Sequence, residues 1–522
     1  MIKTFRNEEF THYIFFLFYL SLKGQTYNIK NFGAIDDGKT ICTKAIQQTI
    51  DKCFDNGGGN VYIPAGTFVI GTLHLKSNIT LYLENGSVLK GSANINDYEK
   101  PEKRQNDSIH YGMFYTHKAE NVSVSGMGTI DGNEKDFFIW DKAKTIDWGG
   151  TKFTRQKNNF RKVQEGIGDG PVVPKLRPYQ CLIFSECKNV NIRDIKITGS
   201  PFWTLHLADC DAVIVSGIKL WNSLETPNSD GIDITSCTNV TISDCDIRAG
   251  DDAIAITGYA FHFEIPGYSD LRHNSENICV INCNLQSRSS GIRIGFLDQN
   301  TVRNIQISNV NITNSNRGIG IFLRDEGSIE NINISNVIID TRLHTGDWWG
   351  NGEPIHISAV RGKAGVKLGK ISHVNFRDII CKGEAGILIY GSKESIIEDI
   401  SFNHILFQIN NSKMNETAGG NIDLRGCALD QQLFSHDIPG IYAQFVKGLS
   451  IKDFQLYWDP EITEPYYTYG LQIVNFDNVT IENFKGTSSP SNKNLPVVLL
   501  QNGKNFTHNL MSKDVKINHT EK

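Results

Sequence analysis

The sequence has no charge excess of either sign: 52 basic residues against 57 acidic ones leave a net of −5 over 522 residues. Nucleic-acid binding normally shows a basic excess or stripe, so that class is excluded. Long apolar runs are also missing. The strongest, Tyr13 to Leu22, holds ten residues, whereas a bilayer span takes about 20. CxxC pairs and Cys/His clusters at zinc spacing are lacking, so no metal and no cofactor is expected. Eleven cysteines in a chain this long do not make a disulfide scaffold, and their odd number leaves at least one thiol unpaired. Helix-period stretches are scarce, which disfavours a doubly wound fold. Glycine is in excess, 47 residues or about 9% against a usual ~7%, as in a chain that turns often.

Lys3 and Arg6 precede the Tyr13–Leu22 run, which suits a secretory signal cut near Gly24-Gln25. Glu8, Glu9 and the bulk of Leu22 depart from that pattern, and a buried N-terminal strand is the other reading. The expectation is export to the periplasm or the medium, with no membrane attachment once residues 1–24 are removed.

Internal repetition dominates the rest. A pattern of Asn followed by alternating apolar and polar residues starts at Asn189 (NVNIRDIKI), Ala212, Asn239 (NVTISDCDI), Asn277, Asn304 and Asn331. The steps between these starts are 23, 27, 38, 27 and 27 residues, and further copies start at Asn121, His373, Asp399, Gly448 and Asn478. Period-2 apolar spacing signals short half-buried strands. Units of 20–30 residues bury their inner faces only by stacking, and a propeller blade would need roughly 40–45 residues. The fold expected is all-β, a right-handed parallel β-helix from about Lys76 to Val498, with Ile and Val ladders inside and asparagines stacked at the turns. Residues Thr40–Phe54 have helical spacing and end at Gly57-Gly58-Gly59, which predicts a helix capping the N-terminal end. The organisation expected is a cap and first coils over 25–110, the main β-helix over 111–500 and a tail over 501–522, in a monomer.

Two loops stand out from the repeat, Asn228-Ser229-Asp230-Gly231 and Gly250-Asp251-Asp252. Asp230 and Asp251 lie 21 residues apart, close to one coil, so they should sit on neighbouring coils about 4.8 Å apart. Aspartates also favour turns, which accounts for either loop alone. Three acids together raise one another's proton affinity at a cost in stability. Glycosidic cleavage needs one protonated acid and one ionised base, which such a cluster supplies. Gly250 is expected to permit a bend or bulge that turns both Asp251 and Asp252 outward.

From about Tyr27 to the last repeats the sequence resembles the polygalacturonase-like glycoside hydrolases of family 28. The resemblance rests on YNIKNFGAIDDGKT, on GTIDGN at Gly128–Asn133, on SPFWTLHLADC at Ser200–Cys210, and on NSDG and GDD at the family's separation. It implies an inverting hydrolysis with Asp251 as general acid, and with Asp230 and Asp252 holding and activating water. The sequence departs from the family at two places. Ser289-Ser290-Gly291 stands where the family has Gly-His-Gly, and Gly320-Ile321-Phe322 stands for Arg-Ile-Lys. An insert from about Gly258 to Asn274 offers His262 and His273 as substitutes for the missing histidine.

The partner expected is an acidic, pectin-like or algal polysaccharide or oligosaccharide. Asn228, Arg288, Arg293 and Arg324 are candidate contacts for it, because guanidinium matches carboxylate geometry. Trp348 and Trp349 lie in a Gly-rich loop where both cannot be core, so one indole should be free to stack on a sugar ring; Trp203 and Tyr179 are weaker candidates. Glu353 and His356 follow closely in sequence. Two other classes fit the same residues. One is an eliminating lyase or dehydratase, with an arginine neutralising the uronate carboxylate. The other is a non-catalytic carbohydrate-binding solenoid.

Overall fold

A computed structural model describes residues 25–101, 108–144, 151–162, 168–258, 273–296, 300–428 and 432–518. The alternating segments form strands as their period requires. In Thr238–Ser243, for example, Val240 and Ile242 are buried while Thr238, Asn239, Thr241 and Ser243 face outward or sit at the edge. Each such strand pairs in parallel with its counterpart one coil away, giving a right-handed parallel β-helix. Ile232 pairs with Ile254, Ile254 with Ile292, Ile292 with Ile319 and Ile319 with Ile355, and this row runs up the interior with every member fully buried. Burial of one Ile or Leu side chain stabilises by roughly 1.5–3 kcal/mol. The row works only if the register holds.

Register is fixed at the corners. Asn239, Asn277, Asn304 and Asn331 all adopt left-handed backbone with φ of 56–59°, which asparagine tolerates better than most residues. Their amides form a ladder: Asn277 Nδ2 donates to Asn239 Oδ1 at 3.2 Å, Asn304 to Asn277 at 3.1 Å and Asn331 to Asn304 at 3.2 Å. A second ladder climbs another corner through Asp244, Asn282, Asn309 and Asn336.

The helix Thr43–Asp55 lies at the N-terminal end and buries Ile46, Thr49, Ile50 and Cys53, the face its spacing predicted. At the other end, strands Lys504–His508 and Val515–Asn518 pair on the preceding coil, so the solenoid continues through the segment expected to be a tail. All eleven cysteines are free thiols, ten of them buried. Among the described residues no helix is long and apolar enough to cross a membrane. The segment read as a secretory signal, 1–24, lies outside the described residues.

One sheet differs from the others. Its strands Leu182–Ser185, Leu205–Ala208, Ile232–Thr235 and Ile254–Thr257 are buried on both faces, as are most of Ser290–Phe296, Arg317–Leu323 and Glu353–Ala359. Long excursions fold over its outer side. Strand Phe138–Ala143 pairs antiparallel with Val172–Pro174, and Asn421–Asp423 pairs with Leu433–Ser435. The excursions clasp one another: Arg155 Nε donates to Gly420 O at 2.9 Å, and Arg342 pairs with Asp169 at 3.0 Å.

The ladder generates a prediction. Asn304→Val should lower stability by roughly 2 kcal/mol, from left-handed strain and two lost amide contacts. Asn304→Gly should lose less, because glycine accepts a positive φ. Urea midpoints of the two variants check the order.

Candidate active site

Along the covered sheet, two outward-facing rows run parallel to the solenoid axis, three residues apart on each strand. The first contains Asp230, Asp252, Ser290, Arg317 and Glu353. The second contains His206, Asp233, Ala255, Arg293, Gly320 and His356. Asp251 comes from the turn between strands Asp246–Ala249 and Ile254–Thr257 and leans over the first row. Carboxylate oxygens of Asp230, Asp251 and Asp252 lie within 4.8 Å of one another, as the one-coil spacing predicted.

Local chemistry locks the two acid loops together. Ser229 Oγ accepts from Gly250 N at 3.0 Å and donates to Thr226 O at 2.9 Å, so the NSDG loop holds the start of the GDD loop. Gly250 is needed for closeness, not for an unusual φ: a Cβ there would sit 2.1 Å from Thr226 O and 2.7 Å from Ser229 Oγ. Asp251 Oδ1 accepts from Asp252 N at 3.1 Å, and Ser287 Oγ donates to the Asp251 carbonyl at 2.5 Å. Asp252 Oδ1 accepts from Ser290 N at 2.8 Å, while its other oxygen pairs with Arg293 Nε. Ala255 between Asp233 and Arg293 leaves room for that guanidinium to lean back toward the acids.

Burial dominates the electrostatics. It raises the Asp251 carboxyl to about 7, with the Asp252 charge adding and Arg293 opposing. Asp230 and Asp233 are pushed well above the ordinary carboxylate value by burial first, then by Asp251 for Asp230, while Arg293 opposes at both. Asp230 Oδ1, Asp233 Oδ2 and Ser290 Oγ have no hydrogen-bond partner among the described residues.

Three further groups at the cluster escaped sequence reasoning. Asp233 lay inside a strand read as ordinary. Arg177 sits between the rings of Phe138 and Phe202, at 5.1 and 4.9 Å, and its Nη2 donates to Asn228 Oδ1 at 3.1 Å. Lys144 is half-buried, its ammonium destabilised first by desolvation and then by Arg177, with Asp251 acting in its favour. No spacing signal marks either cation, since both come from the excursion that folds over the sheet.

The remaining sequence candidates fall in several places. Asn228 is half-buried at the cluster, in left-handed backbone with φ 58°. Trp349 is half-buried and its ring lies 5.6 Å from that of Phe296, which in turn carries the Arg293 guanidinium at 4.9 Å; these groups continue the wall of the cluster. Trp348 is buried, with Nε1 donating to Asp169 O. Of the two tryptophans, therefore, one is core and one is not. Trp203 is buried against His206 and Tyr179 stacks on Phe202.

Glu353 is buried between Arg317 Nε at 2.7 Å and His356 Nδ1 at 3.0 Å, which holds it ionised. Arg324 is fully buried, its donors directed at Gly426 O, Leu323 O, Leu424 O and Ser358. Arg288 is buried too, with Nη1 on Asn314 O at 3.3 Å and Nη2 near Asp169 at 3.7 Å. The excursions over the sheet, invisible to strand-by-strand reading, supply these partners. His273 pairs with Asp209 at 2.5 Å on an exposed corner and not with Asp251 or Asp252. His262 lies outside the described residues. Ser290 stacks on Asp252, to which its backbone amide donates at 2.8 Å.

Among the described residues the three aspartates are the only group of His, Cys, Asp or Glu side chains close enough to share a cation. The Arg293 guanidinium already supplies positive charge there, and the raised proton affinities favour protons over a metal.

A parallel β-helix with an acid cluster under a covered sheet is the architecture of a carbohydrate-active solenoid. The family model for "Glycosyl hydrolases family 28" matches residues 53–344, more than half of the chain, and the protein belongs to that family. A "Probable polygalacturonase" from Vitis vinifera is 28% identical over 250 residues, 45% of each chain. An "Exo-poly-alpha-D-galacturonosidase" from Dickeya chrysanthemi is 26% identical over 44% of this chain and 41% of its own. The chain thus spans about half the length of the curated relatives it matches. Exopolygalacturonase structures from Thermotoga maritima (TM-score 0.61, 21% identity, 83% of this chain and 92% of that one) and Yersinia enterocolitica (0.62, 19%, 88% and 78%) share the fold.

Raised proton affinity has a consequence for stability. A carboxyl whose value climbs on folding from 3.8 to about 7 costs stability as pH rises through that window, because the folded state resists ionisation. Asp251→Asn removes the cost. Its stability relative to the parent chain should therefore increase between about pH 4 and 7 and then level off. Urea midpoints across that range test the sign.

Proposed function

We propose that this protein hydrolyses glycosidic bonds in a uronate-containing, pectin-like chain. The carrying observation is the triple-aspartate cluster, with Asp251 raised to about 7 by burial and the Asp252 charge. A carboxyl of that affinity is about half protonated near neutrality and can donate to a leaving oxygen. That favours hydrolysis over elimination, which would need a base at this position. Asp230 and Asp252 hold and polarise the attacking water, the latter with its charge steadied by Arg293 and the Ser290 amide. Arg177 and Lys144 bring positive charge to the same space and suit a substrate carboxylate. Trp349 and Phe296 supply aromatic surface for a sugar ring.

Names of the relatives, polygalacturonases and exopolygalacturonases, support the substrate class. We place the protein's work outside the cytoplasm, where such polymers occur, on the strength of the Tyr13–Leu22 segment. The stereochemical assignment is inversion. That assignment follows the resemblance at NSDG and GDD, and it holds against an oxygen spacing within 4.8 Å, tighter than the roughly 6.5–9.5 Å common between inverting carboxyls.

Polygalacturonate incubated with the protein should release reducing ends without the ultraviolet absorbance of an unsaturated uronate. Each cleavage should add one water by mass. The first product anomer seen by proton NMR should be inverted; a retained anomer would replace the inverting assignment. Asp251→Asn should lower turnover by roughly 100- to 10,000-fold with an unchanged circular dichroism spectrum. A folded variant of near-normal activity overturns the role of Asp251.

A further inference from the structure

A second recess lies far from the acids, on the C-terminal coils. It encloses about 470 Å³ between Tyr457, Trp458 and Pro460 on one side and Lys485, Pro490 and Lys493 on the other. The row Ile247, Leu285, Ile312, Ile339, Cys381, Phe407, Leu456 climbs six coils from the strand before Asp251 to a residue lining this recess. Six steps of about 4.8 Å separate the two by about 29 Å along the axis. The recess is thus distinct from the acid cluster.

We propose that this recess is an independent binding site for an anionic sugar chain. Its walls are aromatic and rigid. Tyr457 is 50% exposed, with its hydroxyl donating to Gln455 Oε1 at 2.9 Å. Trp458 is fixed by Nε1 donating to Thr487 O at 2.9 Å and by edge contact with Tyr467 at 6.0 Å. Two prolines stiffen the rim, so little order is lost on binding. Aromatic faces of this kind stack on the apolar side of a pyranose ring and leave its hydroxyls to solvent.

Charge selects the ligand. The only ionic side chains lining the recess are Lys485 and Lys493, both exposed and neither paired with a carboxylate among the described residues. Three other lysines on these coils have acidic partners: Lys452 has Glu482 at 3.0 Å, Lys504 has Asp477 at 3.5 Å and Lys447 has Glu398 at 3.9 Å. Two unpaired ammonium groups beside an aromatic wall suit a chain that carries a carboxylate on its sugars. A site of this kind would tether a polymer while other parts of it reach the acids.

The choice of polygalacturonate as probe rests on the hydrolase reading, and one experiment separates the two. The full chain is mixed with polygalacturonate or its carboxyl-reduced, neutral form, briefly acetylated on lysine, and mapped by mass spectrometry, while reducing ends are measured in the same sample. Lys485 and Lys493 should be protected by the acidic polymer alone. The double variant Lys485→Ala, Lys493→Ala should bind immobilised polygalacturonate roughly tenfold or more weakly, as expected for losing charged contacts, with hydrolysis of a short oligogalacturonate unchanged. Hydrolysis with both lysines unprotected overturns the second site and leaves the hydrolase reading standing. Protection without hydrolysis does the reverse, and absence of both overturns each. Equal protection by the neutral polymer removes the anion preference and with it the proposal.

Discussion

Everything in this molecule depends on the parallel register between coils. A β-ladder at about 4.8 Å places like positions on top of one another, so any choice made at one position is answered by the coils above and below. On the inside, the outcome is the Ile row from Ile232 to Ile355. At the corners it is the asparagine amides, each both donor and acceptor to its neighbours. Apolar stacking alone tolerates a slip of two residues, since the period is two. The asparagine ladder does not, because a slip would carry each amide away from its partner on the next coil.

The same register produces the acid cluster. Asp230 and Asp252 are stacked because they occupy one position on successive coils, and stacking like charges in a buried place is unfavourable. What makes it bearable is provided by the neighbouring row: Arg293 reaches Asp252 across the space that Ala255 leaves open. Farther along, the first row changes sign, with Arg317 balanced by Glu353. The outer face of this sheet is therefore a second, polar core, organised by the same ladder as the apolar one.

That division explains how much was legible in the sequence. Interior rows, corner asparagines, the capping helix and the spacing of the three aspartates all follow from short-range periodicity, which a sequence displays openly. The fate of the arginines does not. Arg293 lies within a strand, and Arg324 and Arg288 directly after one; the first meets the acids, the second is enclosed by carbonyls of Ser358, Leu424 and Gly426, and the third turns to Asp169. Arg293 finds Asp252 on the neighbouring coil, 41 residues back, but Arg324 and Arg288 meet excursions folded across the sheet, and contacts between segments a hundred or more residues apart leave no periodic trace. Arg177 and Lys144 were missed for the same reason. His273 differs again: it lies on an exposed corner, where Asp209 is its neighbour.

Ser290 illustrates how one coil position serves the next. A coil position must satisfy the one below it, and Ser290 does so with its backbone amide, which any residue would offer to Asp252. The small side chain leaves its Oγ unpartnered and clears the way for a larger group from the adjacent row. Arg293, three residues on, occupies that freedom and brings to Asp252 a permanent positive charge that a histidine carries only when protonated. At Gly320 the same logic works in reverse: a Cβ there would lie 2.6 Å from the Phe322 ring, so the missing side chain makes room for an aromatic that packs against Arg317, Arg324 and His356. In both places a small residue on one strand is matched by a large neighbour three or two positions away. Rows, more than single residues, are the units in which this groove is organised.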